Sequence, residues 1–183
     1  MHEETMSKKP GGGEVMKTGY RAIFGGRAGE LSVMSEFLEV GWQVAQPLID
    51  FGDDFYLLDD EGQSIWRVQV KRSSLKRLIT RDAWIGQFRL SREQLEQQKA
   101  VELLYVFAGR RVDTALPMLV PPAFPLTESC SRWEYFIMPR HELLCYVNAG
   151  LGRRRDNGRI DLSLTFEPGV VRSGEMSWAR RVG

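Results

Sequence analysis

The chain has 183 residues, 43% of them hydrophobic and 27% charged, so it is long enough for one domain with a hydrophobic core. Lys and Arg total 25 and Asp and Glu total 24, and this near-neutral balance excludes a strongly basic, histone-like nucleic-acid binder. Two cysteines and two histidines argue against a Cys/His zinc site.

The apolar segments also bear on location. The longest apolar run, residues 115–126, is interrupted by four prolines, and the first residues are polar. Neither segment has the pattern of a membrane span or a secretory signal. We therefore predict a cytoplasmic protein with no membrane partner.

The first half of the chain predicts a tail, a helix and three strands. Residues 1–18 are polar with three consecutive glycines, which is typical of a flexible N-terminal tail. A helix is predicted from Arg27 to about Val40, because Leu31, Met34 and Leu38 recur at helical spacing. Residues 42–49, 54–58 and 64–71 predict strands, the last two joined as a hairpin by a turn at 59–63.

The second half continues the alternation of helices and strands. Residues 72–81 predict a loop or ragged strand, and 87–90 a short strand followed by a helix from the N-cap Ser91 to about Ala100. A strand buried on both faces is predicted at 101–108, and a proline-rich loop at 112–131. A strand at 133–138, a helix from Pro139 to about Val147 and a strand at 160–166 follow. This order predicts one mixed α/β domain over residues 19–172, with a C-terminal tail at 173–183.

Four polar residues in the first half form a candidate catalytic set. Gln69 and Lys71 point to the same face of their strand, because side chains alternate along a strand. Asp54 begins the hairpin partner, so a carboxylate, an amide and an amine can converge. Glu30 lies on the preceding helix and could add a second carboxylate from above the sheet.

This set of groups is suited to holding Mg²⁺ or Mn²⁺. Carboxylate oxygens of Glu30 and Asp54, the amide oxygen of Gln69 and the backbone carbonyl of Val70 are hard ligands of the kind these ions prefer. Such an ion activates water for attack on phosphorus. Lys71 could orient that water or stabilise charge that develops on the phosphoryl oxygens.

The order of these residues resembles the PD-(D/E)xK nuclease superfamily. The resemblance is greatest to the branch that includes archaeal-type Holliday junction resolvases and uncharacterised bacterial domains with a Q-x-K motif. It rests on the following segments: Glu30, Gly41-Trp42-Gln43-Val44, Asp50-x-Gly52-x-Asp54 and Gln69-Val70-Lys71-x-Ser73.

The resemblance implies a restriction-endonuclease-like fold, a central mixed sheet flanked by helices, and Mg²⁺-dependent hydrolysis of phosphodiester bonds in DNA. Asp54 would be the metal-binding aspartate, Lys71 the catalytic lysine and Glu30 the helix-borne acid. Gln69 replaces the acid that is commonest at its position, which removes one negative charge from the metal site.

The distribution of charge suggests where nucleic acid would lie. Residues 71–81 hold five bases and no acid, beside an acidic stretch at 50–61. A basic strip beside a metal site would suit a phosphate backbone. A solvated loop explains the strip equally well. The candidate nucleic-acid-binding residues are Arg72, Ser73, Lys76, Arg77 and Arg81.

Several charged residues are interpreted as having no functional role. Asp53 is interpreted as a plain turn residue, and the arginines at 153–155 with Arg159 as a solvated loop rather than a DNA contact.

The expected partner is nucleic acid, DNA in the first instance, and a homodimer that cuts two strands is compatible with the sequence. An inactive nuclease-fold module that binds nucleic acid or protein is the main alternative. A purely structural domain, in which Asp54 and Lys71 stay apart, is the third.

Overall fold

The computed structural model describes residues 18–49, 52–59, 63–111 and 133–179. Helices in this part of the chain are α1 (Thr18–Glu39), α2 (Arg92–Glu96) and α3 (Arg140–Asn148). None of them is long and apolar enough to cross a membrane. The predicted proline-rich loop at 112–131 and most of the predicted N-terminal tail lie outside the described residues.

The described strands form one 10-stranded sheet. Its main path runs β1-β2-β3-β4-β8-β9-β10, while β5 pairs with β3, β6 with β5 and β7 with β8. The strands are β1 (Gln43–Ala45), β2 (Phe55–Asp59), β3 (Ser64–Leu78), β4 (Ala83–Ser91), β5 (Leu103–Arg111), β6 (Trp133–Pro139), β7 (Arg153–Arg154), β8 (Arg159–Glu167), β9 (Val170–Ser173) and β10 (Met176–Ala179).

The predicted α/β fold with a central mixed sheet flanked by helices is wrong. Strands make up 51% of the structure and helices 24%, so the protein is mostly a β-sheet structure. Among the described strand pairs only β3 and β5 run parallel. The difference from the prediction lies in the strands rather than the helices, since α1 is longer than predicted and α2, which ends at Glu96 rather than near Ala100, is shorter. Strand content is higher than predicted because β9 and β10 extend the sheet past residue 172, into the predicted C-terminal tail.

Two hydrophobic clusters lie on opposite faces of β5. Val106 and Ala108 pack in a cluster with α1 residues such as Val33, whereas Tyr105 and Phe107 pack with residues of α3, β4 and β8. Side chains alternate along a strand, so these clusters occupy opposite faces of the sheet. The prediction that this strand is buried on both faces is confirmed.

The strand β3 joins the two halves of the sheet and is longer than predicted. It pairs with β2 through Val68, with β5 through Leu75 and with β4 from Lys76 onward. Only Leu75 and Leu78 are apolar between residues 71 and 78. The second half of this strand therefore lacks the apolar alternation from which a strand is predicted. Leu75 is 1% exposed and anchors that half in the core.

A substitution at Gly109 tests this packing. A Cβ atom at Gly109 would lie 2.6 Å from Leu75 Cδ2, and a Cβ atom at Gly86 would meet the same methyl group at 2.6 Å, so Leu75 has little room to move. We expect Gly109→Ala to lower the free energy of unfolding by about 1–3 kcal/mol. Gly26→Ala is the control, because that site in α1 is open and alanine should stabilise the helix by up to about 1 kcal/mol. Urea denaturation measures both, and a neutral Gly109→Ala would contradict the packing.

The helix α1 begins at Thr18, nine residues before the predicted start at Arg27. Glycine is unfavourable in the interior of a helix, so the predicted helix starts only after the pair Gly25-Gly26. The close approach of β3 explains why glycine is present: a Cβ at Gly29 would lie 3.2 Å from Cβ of Arg72. Glycines on this face of α1 therefore let the Arg72 side chain lie along the helix.

Candidate active site

Asp54 lies at the point where β2 and β3 separate. Its backbone N–H donates to the carbonyl of Val68 at 2.9 Å, which continues the ladder by one residue. Beyond this point the Asp54 carboxylate replaces a strand partner: Oδ2 accepts from the N–H of Val70 at 2.6 Å and from Nε2 of Gln69 at 2.7 Å. Asp54 and Gln69, which the hairpin can bring together, are thus in direct contact.

A chain of hydrogen bonds links Asp54 to Lys71 through two amides. Nε2 of Gln69 donates to Asp54, Oε1 of Gln69 accepts from Nε2 of Gln94, and Oε1 of Gln94 accepts from Nζ of Lys71 at 3.4 Å. A carboxylate can only accept and an ammonium can only donate, so the two charged ends fix the direction of both amides. Gln69 and Lys71 share a partner in Gln94, as their alternation along β3 predicted.

Gln94 belongs to the site, although its position three residues after the N-cap Ser91 predicts only a capping box. Its backbone N–H donates to Oγ of the N-cap residue Ser91 at 3.3 Å. The side chain turns to the site and donates to the carbonyl of Gly52 at 2.5 Å. Gly52 has a φ of +87°, which glycine adopts without steric cost and which presents this carbonyl to the helix. A glutamine in the first turn of a helix was the signal available in the sequence.

The pKa of Lys71 is lowered from its ordinary value. Burial of the ammonium lowers this pKa most, and the negative charge of Asp54 opposes the effect. A lysine whose pKa is lowered releases its proton closer to neutral pH. This direction suits a side chain that exchanges a proton with water or a leaving group.

Glu30 lies beside Asp54 but already has a partner. Both residues line a depression of about 250 Å³, together with Arg27, Gln46, Pro47 and Asp53. Oε2 of Glu30 accepts from Arg27 at 2.8 Å, and Arg27 also donates to Gln46 at 3.0 Å. The structure thus brings together Glu30, Asp54, Gln69 and Lys71. Arg27 and Gln94, which were not predicted as site residues, lie among them.

The chemistry of these donors fits a magnesium or manganese ion. Mg²⁺ is usually bound through one or two carboxylates and keeps several waters, and the depression supplies the carboxylates of Glu30 and Asp54. Within the described residues no three Asp, Glu, His or Cys side chains form a metal-binding group. The amide oxygen of Gln69 and the backbone carbonyl of Val70, also predicted as ligands, would be the remaining ligands that the protein supplies to the ion. In this structure Gln69 presents its NH₂ group to Asp54, so its oxygen would have to turn to serve as a ligand.

Asp53, interpreted from sequence as a plain turn residue, is one of the most buried charged residues described. It is 3% exposed and forms a two-bond ion pair with Arg67, at 2.8 Å from Nε and 2.5 Å from Nη2. Nζ of Lys99 lies 3.7 Å from the same carboxylate. The turn interpretation is wrong, because a buried cation on β3 replaces the water that a turn aspartate would contact. This pair fixes the backbone immediately before Asp54.

The predicted nucleic-acid-binding residues separate into two places. Arg72 lies beside Lys71 and lines a depression with it, and Ser73 Oγ accepts from the N–H of Gln87 on β4 at 3.1 Å. Arg77 and Arg81 line a different depression near the turn that follows β3. Arg81 is also paired with Glu167 at 2.9 Å, and Lys76 is exposed on β3. The predicted strip is therefore not one continuous surface next to Asp54.

A groove on the other side of Lys71 was not predicted. It has a volume of about 420 Å³ and separates β3 from β4 and the β7–β8 turn. We call it the basic groove, and its lining residues are Val70, Lys71, Arg72, Gln87, Arg89, Arg155 and Asp161. The sequence signal was the arginine cluster at 153–159, which was interpreted as a solvated loop.

Comparisons of the chain with protein-family models, with curated proteins and with solved structures gave no match.

Proposed function

We propose that the protein is a nuclease that uses Mg²⁺ or Mn²⁺ to hydrolyse phosphodiester bonds in DNA. The observation that carries this proposal is the hydrogen-bonded chain from Lys71 to Asp54, which ends beside Glu30 in one depression. Two carboxylates, two amides and a lysine whose pKa is lowered are thereby assembled at the fork between β2 and β3. The motif resemblance supports the proposal through the order of these residues, and the overall fold does not.

Each residue of the candidate active site has a role in this proposal. Asp54, Glu30, the amide oxygen of Gln69 and the carbonyl of Val70 would hold the ion. An ion bound there would supply a Lewis acid for the phosphoryl oxygens and for the attacking water. Lys71 would orient this water, and its neutral amine form, which burial favours by lowering the pKa, would accept the proton that the water releases. Gln94 positions Lys71 through Oε1 and Gln69 through Nε2.

A second function is favoured by a specific observation. Asp54 is hydrogen-bonded to Gln69 and Val70, and Glu30 is paired with Arg27, so both carboxylates already have partners in the protein. A site with these partners, and with an amide where an acid is commonest, suits a non-catalytic module that binds nucleic acid. The two functions differ in one measurable property, which is cleavage that depends on a divalent ion.

Cleavage of plasmid DNA tests the proposal. We expect supercoiled plasmid to be nicked when Mg²⁺ or Mn²⁺ is present at about 5–10 mM. The plasmid should stay intact in excess chelator. Asp54→Asn keeps the size of the side chain and removes its charge, so the activity should disappear. Glu167→Gln is the matched control, since Glu167 pairs with Arg81 and Arg172 away from the site.

The outcomes separate the two functions. Parent protein that binds DNA but does not nick it in either ion would overturn the nuclease proposal and support the non-catalytic module. Nicking that persists in Asp54→Asn would show that the cleavage does not depend on Asp54 and would contradict the proposed site.

A further inference from the structure

The basic groove results from the divergence of three strands. Pairing of β2 with β3 ends at Val68, whereas pairing of β4 with β3 begins at Lys76. The intervening part of β3 therefore faces a space between the two halves of the sheet. Arg89 of β4 and Arg155 of the β7–β8 turn lie across this space from Lys71 and Arg72.

Charge in the groove is strongly one-sided. Four of the lining residues are cationic and one is acidic, and the cationic ones are Lys71, Arg72, Arg89 and Arg155, although the Arg72 side chain extends along α1. The carboxylate is that of Asp161, which accepts from Nη2 of Arg155 at 2.6 Å and lies 3.8 Å from Nε of Arg89. Arg89 remains 76% exposed, so its guanidinium has free donors for a ligand.

The groove continues beyond these residues. Arg89, Arg155 and Asp161 also line a neighbouring depression of about 400 Å³, which adds Asp156, Asn157 and Arg159. The two depressions share three residues and form one surface that leads away from Lys71. An extended anionic ligand can follow such a surface from the candidate active site.

The residues lining this surface, as far as the chain is described, include no aromatic side chain. Proteins that hold single strands combine basic grooves with aromatic residues on which bases stack. Arginine and glutamine side chains without stacking partners instead contact phosphates and fix the position of a duplex. The lining therefore favours a ligand whose bases are already paired.

We propose that Gln87, Arg89 and Arg155 bind the phosphate backbone of double-stranded DNA and guide it to Lys71. This inference rests on the proposed function for its ligand, but it concerns binding and residues that the motif does not include. Asp161 competes with the phosphates for both arginines. Contacts of this kind are independent of base sequence and sensitive to salt.

Fluorescence anisotropy with a labelled duplex tests the groove without cleavage, because excess chelator is present. We expect Arg89→Ala and Arg155→Ala each to weaken binding about tenfold and to reduce the salt slope by about one. Asp161→Asn should tighten binding by about threefold, since it removes the competing carboxylate. A purely structural role of Asp161 would not produce a gain. Arg172→Ala, an exposed arginine of β9 paired with Glu167, is the control.

The results distinguish failure of the groove proposal from failure of the nuclease proposal. Arginine variants that bind within about twofold of the parent protein, or a parent that does not bind duplex, would overturn the groove proposal. Tighter binding of a single strand of equal length would overturn the assignment to duplex. If the parent binds duplex through these arginines but never cleaves it, the groove stands and the nuclease proposal fails. If the parent nicks DNA and the arginine variants nick it equally well, the nuclease stands and the groove fails.

Discussion

Replacement of Lys71 by methionine is expected to lower the rate of ion-dependent DNA cleavage by about 10²–10³-fold. Methionine keeps an unbranched apolar side chain at this position of β3 but removes the amine that donates to Gln94. The loss should therefore come from the chemical step and leave the fold intact. Single-turnover nicking of plasmid DNA by saturating protein measures this step directly.

Two controls make this result specific to Lys71. Duplex binding in excess chelator should fall by only about tenfold in Lys71→Met, since the variant removes one of the groove's cations. Arg172→Met makes a comparable change on β9 and should cleave like the parent protein. If Lys71→Met nicks at the parent rate, Lys71 has no role in the reaction and the proposed site is wrong.

Loss of the cation at Arg67 is expected to cost about 3–5 kcal/mol of the free energy of unfolding. Arg67 is 5% exposed and Asp53 is 3% exposed, so Arg67→Met leaves a buried carboxylate whose nearest remaining cation is Lys99, at 3.7 Å. Guanidinium denaturation should show a lower midpoint with an unchanged slope. The effect should exceed that of Arg92→Met, which breaks an exposed pair with Glu96 worth less than about 1 kcal/mol.

The double variant Asp53→Leu with Arg67→Met separates the charge from the packing. Removing both partners eliminates the uncompensated buried charge, so a large part of the lost stability should return. A double variant as unstable as Arg67→Met would show that the pair acts through shape rather than charge. An Arg67→Met cost below about 1 kcal/mol would contradict the burial of the pair.

Local patterns predicted most of the elements, because they depend on neighbouring residues. The β2–β3 pairing, the doubly buried β5 and the helix that begins near Pro139 follow from alternation, apolar runs and capping. The fold class did not follow, because it depends on pairings between distant segments. The second half of β3 appeared as a basic loop, since its only buried anchor is Leu75, which fits because distant Gly86 and Gly109 lack side chains.

The candidate site shows the same division between local and distant information. Asp54, Gln69 and Lys71 could be predicted as a set, since a hairpin brings the first two together and strand alternation aligns the last two. Gln94 could not be assigned to the site from sequence, because it lies 25 residues from Gln69 and reaches it only through the tertiary placement of α2. Asp53 was misjudged for a similar reason, since its partner Arg67 lies 14 residues away.

In the proposed function, Asp54 holds a divalent ion during phosphodiester hydrolysis. The most direct test of this role is a calorimetric titration of Mn²⁺ into Lys71→Met saturated with duplex DNA, repeated with Asp54→Asn added to that variant. The Lys71→Met background keeps the DNA intact, and the bound phosphate can complete the ion's shell. We predict Mn²⁺ binding in Lys71→Met that disappears when Asp54→Asn is added. Identical titrations of the two proteins would contradict an ion at Asp54 and the mechanism built on it.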